Sequence, residues 1–183
     1  MKEIRIHGRG GQGSVTAAEL LAVAAFKDGK ESQAFPAFGV ERRGAPVQAF
    51  CRVSDKPIRI RAQIYDPDYL IIQDATLLQV VPIFLGFKSS GIAIINSEKS
   101  AKELELEKLK YPPEGEVRAI PVTKLALKHL GRPIVNTGMI GGFAGATGEI
   151  GLKAINEAVM ERFGAALGKK NVALVEQVYN DIK

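Results

Sequence analysis

The sequence predicts an α/β fold: one domain over residues 1–183, built as a three-layer sandwich with a mainly parallel sheet, helices on both faces and a hairpin-like excursion. Three observations carry this reading. The runs Tyr69-Leu70-Ile71-Ile72 and Ile92-Ala93-Ile94-Ile95 are continuous apolar stretches, as strands buried on both faces are. Segments of helical period follow the strands, notably residues 14–26 and 122–130. The chain also opens on a strand that feeds a helix through a glycine-rich turn, the first half of a β-α-β unit.

Taken in order, residues 3–7 alternate polar and apolar side chains and read as the first strand. The turn His7-Gly8-Arg9-Gly10-Gly11-Gln12-Gly13 follows, then a helix over residues 14–26 with Val15, Ala18, Leu21, Ala22 and Ala25 at helical spacing. Asp28-Gly29-Lys30 ends that helix, and residues 31–35 form a second strand closed by Pro36, which has no N–H for a ladder. Residues 35–46 carry neither period. Residues 47–53 and 58–61 read as two strands joined by the turn Ser54-Asp55-Lys56-Pro57, the hairpin-like excursion.

Beyond Asp66-Pro67-Asp68 come the strand at 69–72, a short helix or turn at 75–81, and the strand at 92–95 closed by Asn96-Ser97. Residues 101–109 are charged and read as a surface helix or loop, broken by Tyr111-Pro112-Pro113-Glu114-Gly115. A strand at 117–121 leads into a helix at 122–130 that stops at Gly131. Residues 139–147 hold Gly141, Gly142, Ala144, Gly145 and Ala146, the composition of a helix packed very closely against a neighbour, with the sheet as the expected one. Residues 151–163 and 169–182 close the chain as amphipathic helices.

The totals exclude several classes of function. No apolar run is long enough to span a membrane and no leader pattern is present, so the cytoplasm is the expected location. Cys51 is the only cysteine, which rules out an intrachain disulfide and a cysteine-held cluster, and it falls in an apolar run suited to an inert thiol. His7 and His129 lie far apart with no ligand-spaced partners, so a protein-held metal is not expected. The net charge of +5 comes without an arginine-rich arm or an aromatic–basic platform. That argues against nucleic acid and leaves an anionic ligand or an acidic partner surface.

Two stretches carry functional information. Arg9, Gly10, Gly11, Gln12 and Gly13 form a strand-to-helix loop in which glycine admits close approach to the main chain, while the helix start offers free N–H groups to negative charge. The spacing Gly8-x-Gly10-x-x-Gly13 also fits a dinucleotide fingerprint, but the second strand ends at Pro36-Ala37-Phe38 with no acidic residue to hold a ribose. A tight turn without a ligand remains the plainer alternative. The second stretch is Phe35-Pro36-Ala37-Phe38-Gly39-Val40-Glu41-Arg42-Arg43-Gly44, apolar at one end and charged at the other. Strands one and two would deliver both stretches to one sheet edge, where Arg42 and Arg43 suit a carboxylate or phosphate of a ligand or a partner chain.

These two motifs, Gly8-Arg9-Gly10-Gly11-Gln12-Gly13 with Thr16-Ala17-Ala18, and residues 35–47, resemble the gamma subunits of 2-oxoacid:ferredoxin oxidoreductases, the pyruvate enzymes above all. The likeness continues through Asp66-Pro67-Asp68 and Asn136-Thr137 to the final helices. It implies one subunit of a complex with alpha, beta and delta companions that decarboxylates a 2-oxoacid, passes electrons to ferredoxin and transfers the acyl group to coenzyme A. Thiamine diphosphate, Mg and [4Fe-4S] clusters are implied for the complex, and none of them for this chain alone. Carried onto this sequence, the resemblance implies no catalytic residue. It makes Arg9, Gly10, Gly11, Gln12 and Gly13 a coenzyme A or interface loop, and Glu41, Arg42 and Arg43 contacts to partner chains. Self-association of an isolated copy is left open, and a stand-alone Rossmann-type nucleotide- or phosphate-binding enzyme is the alternative.

Overall fold

A computed structural model describes residues 1–37 and 42–183. Six strands form one sheet in the order β2-β3-β1-β4-β5-β6, where β1 is Lys2–Arg9, β2 Glu31–Pro36, β3 Pro46–Ser54, β4 Tyr69–Ile72, β5 Ile92–Asn96 and β6 Glu116–Ile120. β1, β4, β5 and β6 run parallel, and β3 runs antiparallel to both neighbours, β1 and β2. The mainly parallel α/β sheet is the one the sequence predicts. The four α-helices are α1 (Ser14–Lys27), α2 (Val122–Leu130), α3 (Asn136–Thr147) and α4 (Leu152–Ile182).

The two faces are covered unequally. On one, Ile4, Ile6, Cys51, Ile71 and Ile94 meet the buried sides of all four α-helices. On the other, Leu70, Ile72, Ala93 and Ile95 pack beneath Leu77, Ile83, Phe84 and Leu106. These come from loops and from the single 3₁₀ turns Ala75–Gln79 and Leu106–Lys108, so the helical cover on this face is limited to those turns. Alternation along each strand sends neighbouring residues to opposite faces, so both faces of β4 are apolar and its four residues are all buried.

α3 lies against α4 with almost no side chain between them. A Cβ on Gly141 would stand 2.5 Å from the Val175 carbonyl oxygen, and one on Gly145 would stand 2.5 Å from that of Tyr179. The small residues of 139–147 therefore serve close packing, with α4 and not the expected sheet as the nearest neighbour at Gly141 and Gly145. The two closing helices are one element interrupted at Gly164, whose φ of 69° and ψ of 179° no helix contains.

The expected strand at residues 58–61 is not formed. β3 instead takes β2 and β1 as its antiparallel partners, and the chain after Ser54 crosses the second face as an irregular excursion. Two buried arginines fix this excursion from below. Arg52 Nη2 donates to the Ala62 carbonyl at 2.7 Å, while Arg5 Nη1 reaches those of Ile64 (3.5 Å) and Tyr65 (3.3 Å). Arg5 Nη2 also donates to Ile83 O (2.6 Å) and Leu85 O (2.9 Å), tying a second loop to the same guanidinium. Side chain–to–carbonyl bonds replace the ladder that alternation alone suggests.

His7 lies buried beside this network, its Nε2 accepting from Arg5 Nε at 3.1 Å. Burial first, and the Arg5 charge second, push its pKa from 6.5 down to about 3. Between those values the unfolded chain binds a proton that the native chain refuses, so stability is full above pH 6.5 and falls as the pH drops. The expected slope from this residue approaches about 1.4 kcal/mol per pH unit. Urea midpoints at neutral and mildly acidic pH should diverge for the wild type by more than for His7→Gln; equal divergence would contradict the assignment.

Candidate functional site

The glycine-rich loop sits where β1 gives way to α1, at the carboxyl edge of the sheet beside β4. The strand order reverses here: β1 leads outward to β2, while β4, β5 and β6 run the other way, and such a reversal opens a crevice. The loop is held by its own side chains. Gln12 Oε1 accepts from Arg9 N at 2.7 Å while Gln12 N donates to Arg9 O at 2.9 Å. Gln12 Nε2 then donates to Asp74 Oδ2 at 3.1 Å.

Arg9 is a cation fixed in place. Its Nε contacts Asp74 Oδ2 at 3.0 Å, Nη1 the Gly44 carbonyl at 3.1 Å and Nη2 Thr76 Oγ1 at 2.8 Å. Asp74 feels burial, which raises its pKa, but hydrogen bonds from Thr76 and Gln12 and the Arg9 charge outweigh it and hold the carboxyl below its usual value. The Arg9 charge is thus largely matched within the chain, and the field at the loop comes chiefly from the amides at the start of α1. No side chain caps that helix; Gly13, at φ 75°, stands at its N-cap.

Gly10 and Gly11 differ in what they permit. A Cβ on Gly10 would lie 2.3 Å from the Arg42 carbonyl oxygen, because Gly10 N donates to Ala45 O (2.9 Å) and Gly44 N to Gly10 O (3.1 Å). Gly10 is therefore needed for the chain's own packing. Gly11 has φ 96° and no atom of the described residues within 4 Å of its Cβ position, so that side of its backbone is open among them.

The contact at Gly10 also brings the second motif to the first, as a bridge between Gly10 and Arg43. Arg42 and Arg43 are exposed beside the loop. Glu41 lies outside the described residues.

Beside the loop is an open cleft of about 750 Å³ along the carboxyl ends of the parallel strands, lined among others by Gln12, Gln73, Asp74, Asn96 and Thr123. Gln73 is 1% exposed and accepts from Ser14 Oγ at 2.8 Å, while its Nε2 is a buried donor with no partner among the described residues. A buried amide left unpaired costs about 1–3 kcal/mol, which an acceptor entering the cleft would recover. Sequence reasoning missed Gln73, Asp74 and Thr76. The one signal was their position: polar residues immediately after a fully apolar parallel strand stand at the edge where ligands gather.

Elsewhere the chain offers little reactive chemistry. Burial pushes the Cys51 thiol up to about 12, so it is neither a nucleophile nor a ready ligand. Among the described residues no group of three or more His, Cys, Asp or Glu could hold a metal ion, and no helix is long and apolar enough to cross a membrane. Among the described residues at the end of β2, Phe35 to Ala37, no acid is present to hold a ribose. β3 stands between β1 and β2, so the end of β2 lies two strand spacings, roughly 9.6 Å, from β1. That places it out of reach of a ribose seated over the glycine loop.

Residues 3–180 match the family model described as pyruvate ferredoxin/flavodoxin oxidoreductase. The chain is 54% identical over 180 residues to the Pyruvate/ketoisovalerate oxidoreductases common subunit gamma of Thermococcus kodakarensis, covering 98% of this chain and 96% of the relative. It is 52% identical over 182 residues to the Pyruvate synthase subunit PorC of Methanocaldococcus jannaschii, covering 100% and 97%. The crystal structure of pyruvate oxidoreductase subunit PORC from Thermotoga maritima superposes with a TM-score of 0.86 at 34% identity, covering 98% of this chain and 95% of that one. The chain belongs to the pyruvate ferredoxin/flavodoxin oxidoreductase family. Within it the relatives are gamma subunits of multi-subunit oxidoreductases, and the alternative of a stand-alone Rossmann-type enzyme finds no support.

Proposed function

We propose that this chain is the gamma subunit of a cytoplasmic pyruvate:ferredoxin oxidoreductase, assembled with alpha, beta and delta companions and making no bonds itself. The observation that supports this best is the near full-length likeness to the Thermococcus kodakarensis gamma subunit. That relative is named as common to pyruvate and ketoisovalerate oxidoreductases. Such sharing supports a gamma subunit indifferent to the 2-oxoacid, whose choice then falls to the companions.

The groups the complex uses divide between those this chain fits and those it does not. A [4Fe-4S] cluster needs cysteine thiolates, and one buried, high-pKa thiol cannot supply them. The clusters are therefore assigned to the companions, and the resemblance to 2-oxoacid:ferredoxin oxidoreductases implies that thiamine diphosphate with its Mg and the docking of ferredoxin fall to them as well. Coenzyme A fits better: the open backbone at Gly11, the uncapped start of α1 and the unpaired Gln73 donor all favour an acceptor-rich anion. When bound, coenzyme A supplies the thiol that takes the acyl group.

In this reading Gly11 and Gly13 present main-chain donors to its phosphates, while Gly10 and Gln12, whose N–H groups go to Ala45 O and Arg9 O, hold the loop's shape. Arg9 is the residue that holds the loop to Asp74 and Thr76. Arg42 and Arg43 contact partner chains at the rim, and Glu41 is assigned the same role. In a reconstituted complex Arg9→Ala is expected to raise the KM for coenzyme A about tenfold, equivalent to about 1.4 kcal/mol. An unchanged KM in a correctly assembled complex would count against the loop's role.

A further inference from the structure

The excursion between β3 and β4 uses only half of its main chain. Its second part is clasped by Arg5 and Arg52 through the carbonyls of Ala62, Ile64 and Tyr65. Its first part, Pro57-Ile58-Arg59-Ile60-Arg61, has the alternation of a strand. Among the described residues no backbone–backbone hydrogen bond reaches this part. Ile58 is half-buried and Ile60 is 47% exposed. Arg59 and Arg61 are exposed and form no ion pair among the described residues. A strand-forming sequence with unused donors and acceptors is a template for pairing with another chain.

We infer that residues 58–61 are a docking strand, which pairs main chain to main chain with an extended acidic segment of a companion subunit. The inference rests on the reading of this chain as one subunit of a complex. The occupant's chemistry follows from the two faces of the stretch. Ile58 and Ile60 would share one face and Arg59 and Arg61 the other, so the matching strand alternates apolar side chains with carboxylates.

A second copy of this chain is a poor match. In the antiparallel self-pairings that set Ile58 opposite Ile60, or Ile60 opposite itself, arginine stands opposite arginine, which is destabilising. Shifting by one residue sets arginine against isoleucine. The clasp by Arg5 and Arg52 holds the base of the excursion, so the docking strand is presented from a fixed support.

Hydrogen exchange read by mass spectrometry tests this on the chain alone and in the complex purified with its companions. Amides 58–61 are expected to exchange rapidly in the isolated chain and at least about tenfold more slowly in the complex. The triple variant Arg59→Glu, Ile60→Pro, Arg61→Glu is expected to lose its companions while melting like the wild type when isolated, since these side chains are exposed. An assembled complex in which these amides exchange as fast as in the free chain overturns the inference alone. So does protection that grows with the concentration of the isolated chain, which would mean self-pairing. A wild-type chain that retains no companion overturns the subunit reading and this inference with it.

Discussion

Gly141→Ala is expected to lower stability by about 2 kcal/mol, although alanine is the better helix former by about 1 kcal/mol. The new Cβ would stand 2.5 Å from the Val175 carbonyl oxygen and 2.9 Å from the Val175 Cα. Both are backbone atoms of a long helix and cannot turn aside, so α3 and α4 must move apart and loosen the layer over Ile94. Gly145→Ala should behave alike, because Tyr179 O lies at 2.5 Å from its Cβ position. Gly142→Ala is the control: its nearest neighbour is a side-chain atom, Val178 Cγ1, at 3.2 Å. There the helix-propensity gain should roughly cancel the crowding. Urea denaturation of the three variants checks this order, and equal losses at Gly141 and Gly142 would refute close packing as the reason for the glycines.

The second large effect is expected at Arg5. Arg5 is 7% exposed, and its guanidinium donates to four main-chain carbonyls and to His7. Burial lowers its pKa to about 10, with Asp66 acting in the opposite direction, so it stays charged at neutral pH. Arg5→Ala strips partners from the carbonyls of Ile64, Tyr65, Ile83 and Leu85 and opens a cavity under two loops. Losing a buried charged hub of this kind is expected to cost about 3–5 kcal/mol. Arg5→Lys should recover only part of it, since one ammonium group cannot serve both loops. An Arg5→Ala protein within about 1 kcal/mol of the wild type would mean that the loops find other support.

These two sites show what was legible in the sequence and what was not. The glycines of 139–147 announced close packing directly, because small residues in a helix leave a backbone bare. The strands at 69–72 and 92–95 were equally plain, since a strand apolar on both faces belongs inside a parallel sheet. Arg5 gave no such signal. Its partners are about 60 and 80 residues away, and nothing local shows that an arginine within the first strand is buried. The same holds for Asp74 as the counterion of Arg9 and for Gln73 in the cleft.

Topology was the other hidden quantity. Residues 47–53 were recognisable as a strand, but their place between β1 and β2 depends on register and packing, which no local pattern encodes. The alternation at 58–61 pointed to a strand that this chain does not form by itself. The glycine loop could be read as a strand-to-helix turn at an edge where ligands gather. Its division of labour, with Gly10 packing inward and Gly11 facing out, needed the neighbouring main chain of residues 42–45.

We propose that this chain shapes and completes an oxidoreductase without carrying out its chemistry. The most direct measurement is pyruvate- and coenzyme A-dependent reduction of ferredoxin by three preparations: the purified chain, its companions without it, and the two recombined. The chain alone is expected to show no turnover, and adding it back to the companions is expected to restore turnover. Turnover by the isolated chain, or full activity of the companions in its absence, would contradict it.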